Sequence, residues 1–344
     1  MRIKVTVIFL FLCELLFSQN YSGQVLDAFT KQPIESVSVY FDGTTIGTTT
    51  NSNGFFTINL KDNKSTNSLL VISFIGYESI IINTDAFKDN TIYNLVEKQT
   101  ALGEVVLFDN WSRKKKLRVF KDQFLGFNKA TLQCKIENEK AIKLVYNKHQ
   151  KQLYATATEP IIVVNKALGY KIYYDLIDFE VTFSNCINCL KKVESVFYSG
   201  TTRFEELNLK RTKSKYIKAR QKSYFGSLLH FMRVLAKNKT KEAHFKFFIK
   251  STSNTSKLFY NTDVKNLVKV SKKESVIKVN LLYKSKIIVR FKDFEQSFLL
   301  IQDDDKTFTI DDYGIHSPVD KIIFGGRFGN SRLSTMLPNN YYPN

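Results

Sequence analysis

The sequence predicts a mostly β protein, an N-terminal β-sandwich followed by a larger β-rich α+β domain with one principal helix. Three observations carry this. Apolar and polar residues alternate in short runs, as at Val37, Val39 and Phe41, and Gly, Pro or Asn clusters bound the runs. The chain holds 29 Phe and 17 Tyr against 5 Pro, a composition suited to pleated, half-buried surfaces. Only from Arg220 to Lys237 does the apolar spacing lengthen to three and four residues, through Tyr224, Leu228, Phe231, Met232 and Leu235.

Residues 1–19 read as a signal peptide. Arg2 and Lys4 precede an apolar run from Val5 to Phe17 that is too short to span a bilayer as a helix. Leu12 stands before Cys13 where a lipid-anchored Cys wants a small residue, so no lipid anchor is expected. No later stretch holds 18 uninterrupted apolar residues, so no transmembrane helix is expected either. The expected destination is export, to the periplasm or the outer membrane.

Residues 20–108 read as the sandwich. Lys31-Gln32-Pro33 and Asp42-Gly43 punctuate the strand around Val39. Asn51-Ser52-Asn53-Gly54 is a turn cluster, since Asn and Gly tolerate positive φ. Phe55 to Leu60, Leu69 to Phe74 and Ser79 to Asn83 follow as strands, and their spacing indicates an antiparallel sandwich.

This stretch resembles the carboxypeptidase-regulatory-like domain, a transthyretin-like sandwich. The resemblance runs from Gly23-Gln24-Val25-Leu26-Asp27 through Gln32-Pro33-Ile34 and Asn53-Gly54-Phe55-Phe56. It continues through Ser73-Phe74-Ile75-Gly76-Tyr77 and ends at Leu102-Gly103-Glu104-Val105-Val106. It implies a non-catalytic module. In Bacteroidota such domains precede TonB-dependent receptors and many secreted or surface proteins.

The 344 residues allow two domains, and charge divides them. Residues 20–108 carry 5 Lys/Arg against 9 Asp/Glu, so more than the whole net +19 lies elsewhere, almost all of it after residue 108. Residues 109–130, with Trp111 to Arg118 reading WSRKKKLR, are expected to be a basic linker. A basic second domain, residues 131–344, suits an anionic glycan, a lipid headgroup or an outer-membrane protein as partner. Nucleic acid is not expected.

Strands are expected from Leu132 onward, with Pro160 and Gly169 falling between runs. Cys186-Ile187-Asn188-Cys189 lies between two apparent hairpin strands. A local disulfide between Cys186 and Cys189, free thiols, half a metal site and a redox pair all remain open, with a disulfide the first expectation. On the expected helix Ser227, His230 and Arg233 fall on one flank, and Arg220 stands at its start. These four residues are the candidate ligand or anion site. A Ser227–His230 pair is a candidate for nucleophilic chemistry, although Phe225-Gly226-Ser227-Leu228-Leu229 lacks the second Gly of a nucleophile elbow. Asp303-Asp304-Asp305 and Asp311-Asp312 lack the spacing of an EF-hand loop and are expected to be turns.

No metal site and no cofactor are expected. The four His, at 149, 230, 244 and 316, fall in no H-x-x-E or H-E-x-x-H motif, which excludes a zinc carboxypeptidase. Segments 165–174, 224–233 and 337–343 resemble the region that follows regulatory-like domains in some Bacteroidota proteins, and that resemblance implies no activity. The expected function is a non-catalytic binding or scaffolding role in the cell envelope. The alternatives are an accessory of a TonB-dependent receptor and a hydrolase built on Ser227 or His230.

Overall fold

The computed structural model describes residues 20–59, 68–98, 111–184, 192–208, 212–250, 259–273, 276–283, 285–292, 295–301, 306–318, 321–330 and 332–343. The chain forms two compact units, one of residues 1–41, 46–64 and 68–98, the other of residues 42–45, 65–67 and 99–344. The leader lies outside the described residues, as do Cys186, Cys189 and Asp303 to Asp305.

The first unit contains strands β1 (Asn20–Asp27), β2 (Ser38–Phe41), β3 (Gly47–Thr49), β4 (Phe55–Asn59), β5 (Leu69–Ser73), β6 (Ile80–Asn83) and β7 (Thr91–Leu95). They form two sheets, ordered β4-β1-β7 and β3-β2-β5-β6. The expected alternation puts Phe56 and Ile58 inward on β4, against Val25, Val39, Phe41, Leu70, Ile72 and Leu95. One pairing departs from an antiparallel pattern: β1 runs parallel to β7, with Gly23 opposite Thr91. The turn before β4 forms because Asn51 Oδ1 accepts the N–H groups of Asn53 and Phe55, each at 3.0 Å. Gly54 completes it at φ 73, where a β-carbon would meet the Val25 carbonyl.

Asp27 closes the end of β1. Its Oδ1 accepts the N–H groups of Thr30 (2.7 Å) and Phe29 (2.9 Å), and its Oδ2 accepts the Tyr77 hydroxyl at 2.8 Å. These bonds, the Thr30 N–H foremost, hold its carboxyl at about 2.

The second unit opens with helix α1 (Arg113–Leu125), capped where Ser112 Oγ accepts the Lys115 N–H at 3.3 Å. The stretch expected as a basic linker is therefore helical over these residues. The reason is visible past Arg118: Phe120 and Phe124 fall four apart, stack at 4.9 Å and are fully buried, while the cations occupy the other face. Trp111 is buried too, stacked on Tyr146 at 4.1 Å.

Strands β8 (Cys134–Ile136), β9 (Ile142–Asn147), β10 (Gln152–Ala157), β11 (Ile161–Asn165), β12 (Tyr170–Phe183) and β13 (Val193–Glu206) form one sheet. Its order is β8-β11-β12-β10-β9, with β13 on β12. Inward residues such as Tyr146, Leu153, Val163, Ile172 and Phe179 pack with α1 in a single core. The β12–β13 hairpin, expected from the flanks of the C-x-x-C, pairs Phe183 with Val193 at its far end.

Next come helices α2 (Ser214–Tyr224) and α3 (Leu228–Ala236). The helix expected near 220–237 is thus two helices. Gly226, at φ 79, breaks the run, and Ser227 caps the second helix by accepting the His230 N–H at 3.1 Å.

The rest is strand-rich: β14 (Phe245–Lys250), β15 (Phe259–Thr262), β16 (Val268–Lys273), β17 (Val276–Leu281), β18 (Ile287–Phe291), β19 (Glu295–Ile301), β20 (Thr307–Ile310), β21 (His316–Ser317), β22 (Ile322–Gly326), then α4 (Arg327–Asn330). Two sheets result, β15-β14-β18-β19-β22 and β16-β17-β20-β21. Phe231, Met232 and Leu235 of α3 share a core with Phe247, Val279, Val289, Leu299 and Phe308. Asp311 forms the expected turn, its Oδ1 accepting the N–H groups of Ile315 (2.7 Å) and Tyr313 (2.9 Å). Among the described residues no helix is long and apolar enough to cross a membrane.

Candidate functional site

Of the four residues expected to bind an anion, Arg220 and Arg233 are placed in two separate structural clamps. Arg220, on α2, is 5% exposed. Its Nε donates to the Leu168 carbonyl at 2.8 Å, and Nη1 and Nη2 donate to the two Glu206 oxygens at 2.8 and 2.7 Å. The guanidinium lies 3.8 Å from the Tyr170 ring centre. Arg233, on α3, is 4% exposed. It donates to the carbonyls of Tyr313 (2.9 Å), Tyr341 (2.7 Å) and Asn339 (2.6 Å), tying the C-terminal segment to the helix. Both guanidiniums have their donors engaged by the protein itself, so the expected anion site gives way to a structural role.

Ser227 and His230 are neighbours without a side-chain hydrogen bond between them. Ser227 Oγ accepts the main-chain N–H of His230, whereas His230 Nδ1 accepts the Gly226 N–H at 3.1 Å. A nucleophile and its base need the hydroxyl and imidazole bonded to each other, and here Ser227 Oγ and His230 Nδ1 each accept a main-chain N–H. Rings of Tyr224, Phe225, Phe245 and Phe291 surround the imidazole. Burial first, then the cations of Arg233 and Arg327, pushes its pKa down to about 4. His230 is therefore a neutral core residue at pH 7. Cys134, at the start of β8, donates to the Ala130 carbonyl at 3.4 Å, and burial raises its thiol to about 12, which makes it unreactive.

A cleft of about 780 Å³ lies elsewhere in the second unit. It forms at one end of a sheet, where β14 begins and β15 and β18 end. Register places Phe245 opposite Phe291 and Phe247 opposite Thr262. The residues flanking the first pair, His244 and Lys292, join across it: Lys292 N–H donates to the His244 carbonyl at 3.0 Å. Both adopt left-handed backbone, at φ 61 and φ 51. That conformation costs a residue with a β-carbon about 1–2 kcal/mol, and neither position carries the Gly or Asn that would reduce the cost.

The lining is cationic. Lys241 and Lys246, with His244 between them, come from one stretch and Lys292 from another, opposed by one carboxylate, Asp263. Asp263 Oδ1 accepts the Lys265 N–H at 3.0 Å, which holds its side chain in place. Asn261, Thr262 and the buried Thr240 add polar groups, and Phe245, Phe247 and Val264 are its apolar lining residues. Pairing extends the cationic surface, because Arg290 stands opposite Lys246. Sequence reasoning missed this site because no motif links its parts. His244 and Lys292 become neighbours only through the β14–β18 pairing.

Among the described residues, no group of three or more His, Cys, Asp or Glu side chains could hold a metal ion. The lysines of the cleft are suited to holding a negative group.

Residues 21–107 match the CarboxypepD_reg-like domain family. No curated protein matches the sequence. One similar solved structure is a provisionally membrane-associated protein of unknown function from Bacteroides fragilis NCTC 9343. It is 11% identical over 90% of this chain and 94% of that one, with a TM-score of 0.18, too low to carry an argument. The N-terminal β-sandwich is the part that matches the CarboxypepD_reg-like domain family, and the cleft is built from residues outside it.

Proposed function

We propose that this is an exported, non-catalytic protein of the cell envelope that binds an anionic partner through its second unit. The observation that carries the reading is the cleft, where Lys241 and Lys246 from one stretch and Lys292 from another line the same space as a single carboxylate, Asp263. Lysines lining one space raise the local positive potential, which favours a negatively charged ligand. The leader-like residues 1–19 and the regulatory-like domain support export and a binding role.

The test combines location with binding. The full chain, tagged at its C-terminus, is followed by cell fractionation, and the purified protein is passed over an immobilised sulfated polysaccharide. Recovery in the envelope fraction, with retention that salt reverses, is expected. Lys246→Glu with Lys292→Glu should elute at markedly lower salt. Cytoplasmic recovery, or wild-type elution without retention, would refute the reading.

A further inference from the structure

We infer that the outward face of the sheet β15-β14-β18-β19-β22 binds a linear acidic polysaccharide, so that the cleft is one end of a longer track. This rests on the anion-binding reading above for the cleft and adds a second contact surface to it.

Strand register builds the face. Phe247, Ile249, Val289 and Leu299 point into the core, so their neighbours Phe248, Ile288, Arg290 and Phe298 point away from it. Asn261, Phe248, Ile288, Phe298 and Gly325 stand side by side in one row across the five strands. A cation flanks the row on each side of Ile288. The Arg290 guanidinium lies 4.8 Å from the Phe248 ring centre, and the Lys286 ammonium 4.0 Å from that of Phe298. The Phe298 ring lies close over Gly325, where a β-carbon would collide with it. Rings hold both cations in place without cancelling their charge, unlike Arg220, which Glu206 offsets. Among the described side chains pointing outward from β14, β18 and β19, none is a carboxylate.

Charge, spacing and depth select the occupant. An anion complements the two cations. Arg290 and Lys286 stand four residues apart along the strand, about 13 Å, and lean in opposite directions, toward β14 and β19. One acidic group cannot reach both, whereas a chain with recurring acidic groups can. The face is continuous with the cleft, because Asn261 belongs to both and the cleft residue Lys292 follows Arg290 by two positions. Asn261 and the exposed Gln296, opposite Arg290, offer donors and acceptors to sugar hydroxyls. A bilayer is the poorer match. Ile288 is 6% exposed and both rings are half-buried beneath the cations, which leaves little of the row to insert.

Calorimetry on the purified full chain tests this with heparin tetrasaccharide, heparin dodecasaccharide and neutral dextran. Vesicles of phosphatidylcholine with and without phosphatidylglycerol form a further arm. The dodecasaccharide should bind at least about tenfold more tightly than the tetrasaccharide, since a linked second contact is made at high effective concentration. Dextran should give no measurable heat. Arg290→Gln with Lys286→Gln should remove most of the gain with chain length. Gln296→Glu, which sets a carboxylate opposite Arg290 at an exposed position, should do the same and serves if the double variant does not fold. No gain in wild type overturns the inference, as does a gain that persists in the double variant, or in Gln296→Glu where the double variant does not fold. If the wild type is still retained on the immobilised sulfated polysaccharide and released by salt, the anion-binding reading stands without the face. If it is not retained, both fail. Vesicle binding that needs phosphatidylglycerol and is lost in the variants, with no gain for the longer saccharide, replaces the polysaccharide with a lipid surface and overturns the inference.

Discussion

Arg220 and Glu206 meet in a two-point ion pair, Nη1 to Oε1 at 2.8 Å and Nη2 to Oε2 at 2.7 Å. Arg220 comes from α2 and Glu206 is the last residue of β13. The pair fixes the helix to the end of the long hairpin, and the Tyr170 ring lies against the guanidinium. A planar fork matches a carboxylate in a way an ammonium cannot. Arg220→Ala is expected to lower unfolding free energy by about 3 kcal/mol, and Arg220→Lys by roughly half of that. Urea denaturation measures both. A loss within the scatter of surface substitutions for Arg220→Ala would show that the pair is dispensable.

Helix α1 is a second point of stability. Phe124 is fully buried and meets Phe120, Tyr174 and Tyr198. Phe124→Ala should cost about 3–5 kcal/mol. Arg118→Ala, at a side chain 84% exposed, should change little. Equal effects from the two, read as shifts of the denaturant midpoint, would mean that the helix does not pack as described.

Gly169 occupies a left-handed turn at φ 75, where its N–H donates to the Asn165 carbonyl at 2.8 Å. A β-carbon there would press into the Tyr216 ring. Backbone strain and overpacking together predict that Gly169→Ala loses about 3 kcal/mol. Thermal unfolding checks it, and an unchanged midpoint contradicts the close approach.

His230 predicts a pH dependence. Its pKa falls from the ordinary 6.5 to about 4 in the folded protein. The unfolded chain therefore takes up this proton first as pH drops. The neutral side chain's contribution is present above about pH 6.5 and is lost as pH falls toward 4. Between about pH 7 and pH 5 the loss is about 2 kcal/mol. His316 is pushed in the same direction by burial, so the test is a difference. Denaturation of wild type and His230→Asn at the two pH values should show a shallower fall in the variant. Parallel falls would show that His230 is already protonated at neutral pH or reaches solvent.

Much of the fold was legible because strand signals are local. Alternation at Phe56 and Ile58 needs only neighbouring residues, and the side chains turned inward as read. The division of residues 220–237 into two helices was less legible, because Tyr224, Leu228 and Phe231 keep helical spacing across the break at Gly226. Helix α1 was obscured by its cations, which dominate residues 111–118 while the anchoring Phe120 and Phe124 follow. The candidate site was the least legible part. Arg220, Ser227, His230 and Arg233 attracted attention as charged and polar residues on one helical stretch, and both guanidiniums proved to be engaged internally.

By itself the sequence determined the β-rich class, the turn at Asn51 to Gly54, the regulatory-like character of residues 21–107 and the concentration of positive charge beyond them. Each follows from residue types and near-neighbour spacing. Tertiary structure alone decided which cations tie the chain together and which line the cleft. Arg233 finds the Tyr341 carbonyl 108 residues away, and Lys292 finds His244 across two paired strands. The physical reason is that a cation's role depends on the groups it meets after the chain closes on itself, and strand pairing sets those meetings at separations that no local pattern records.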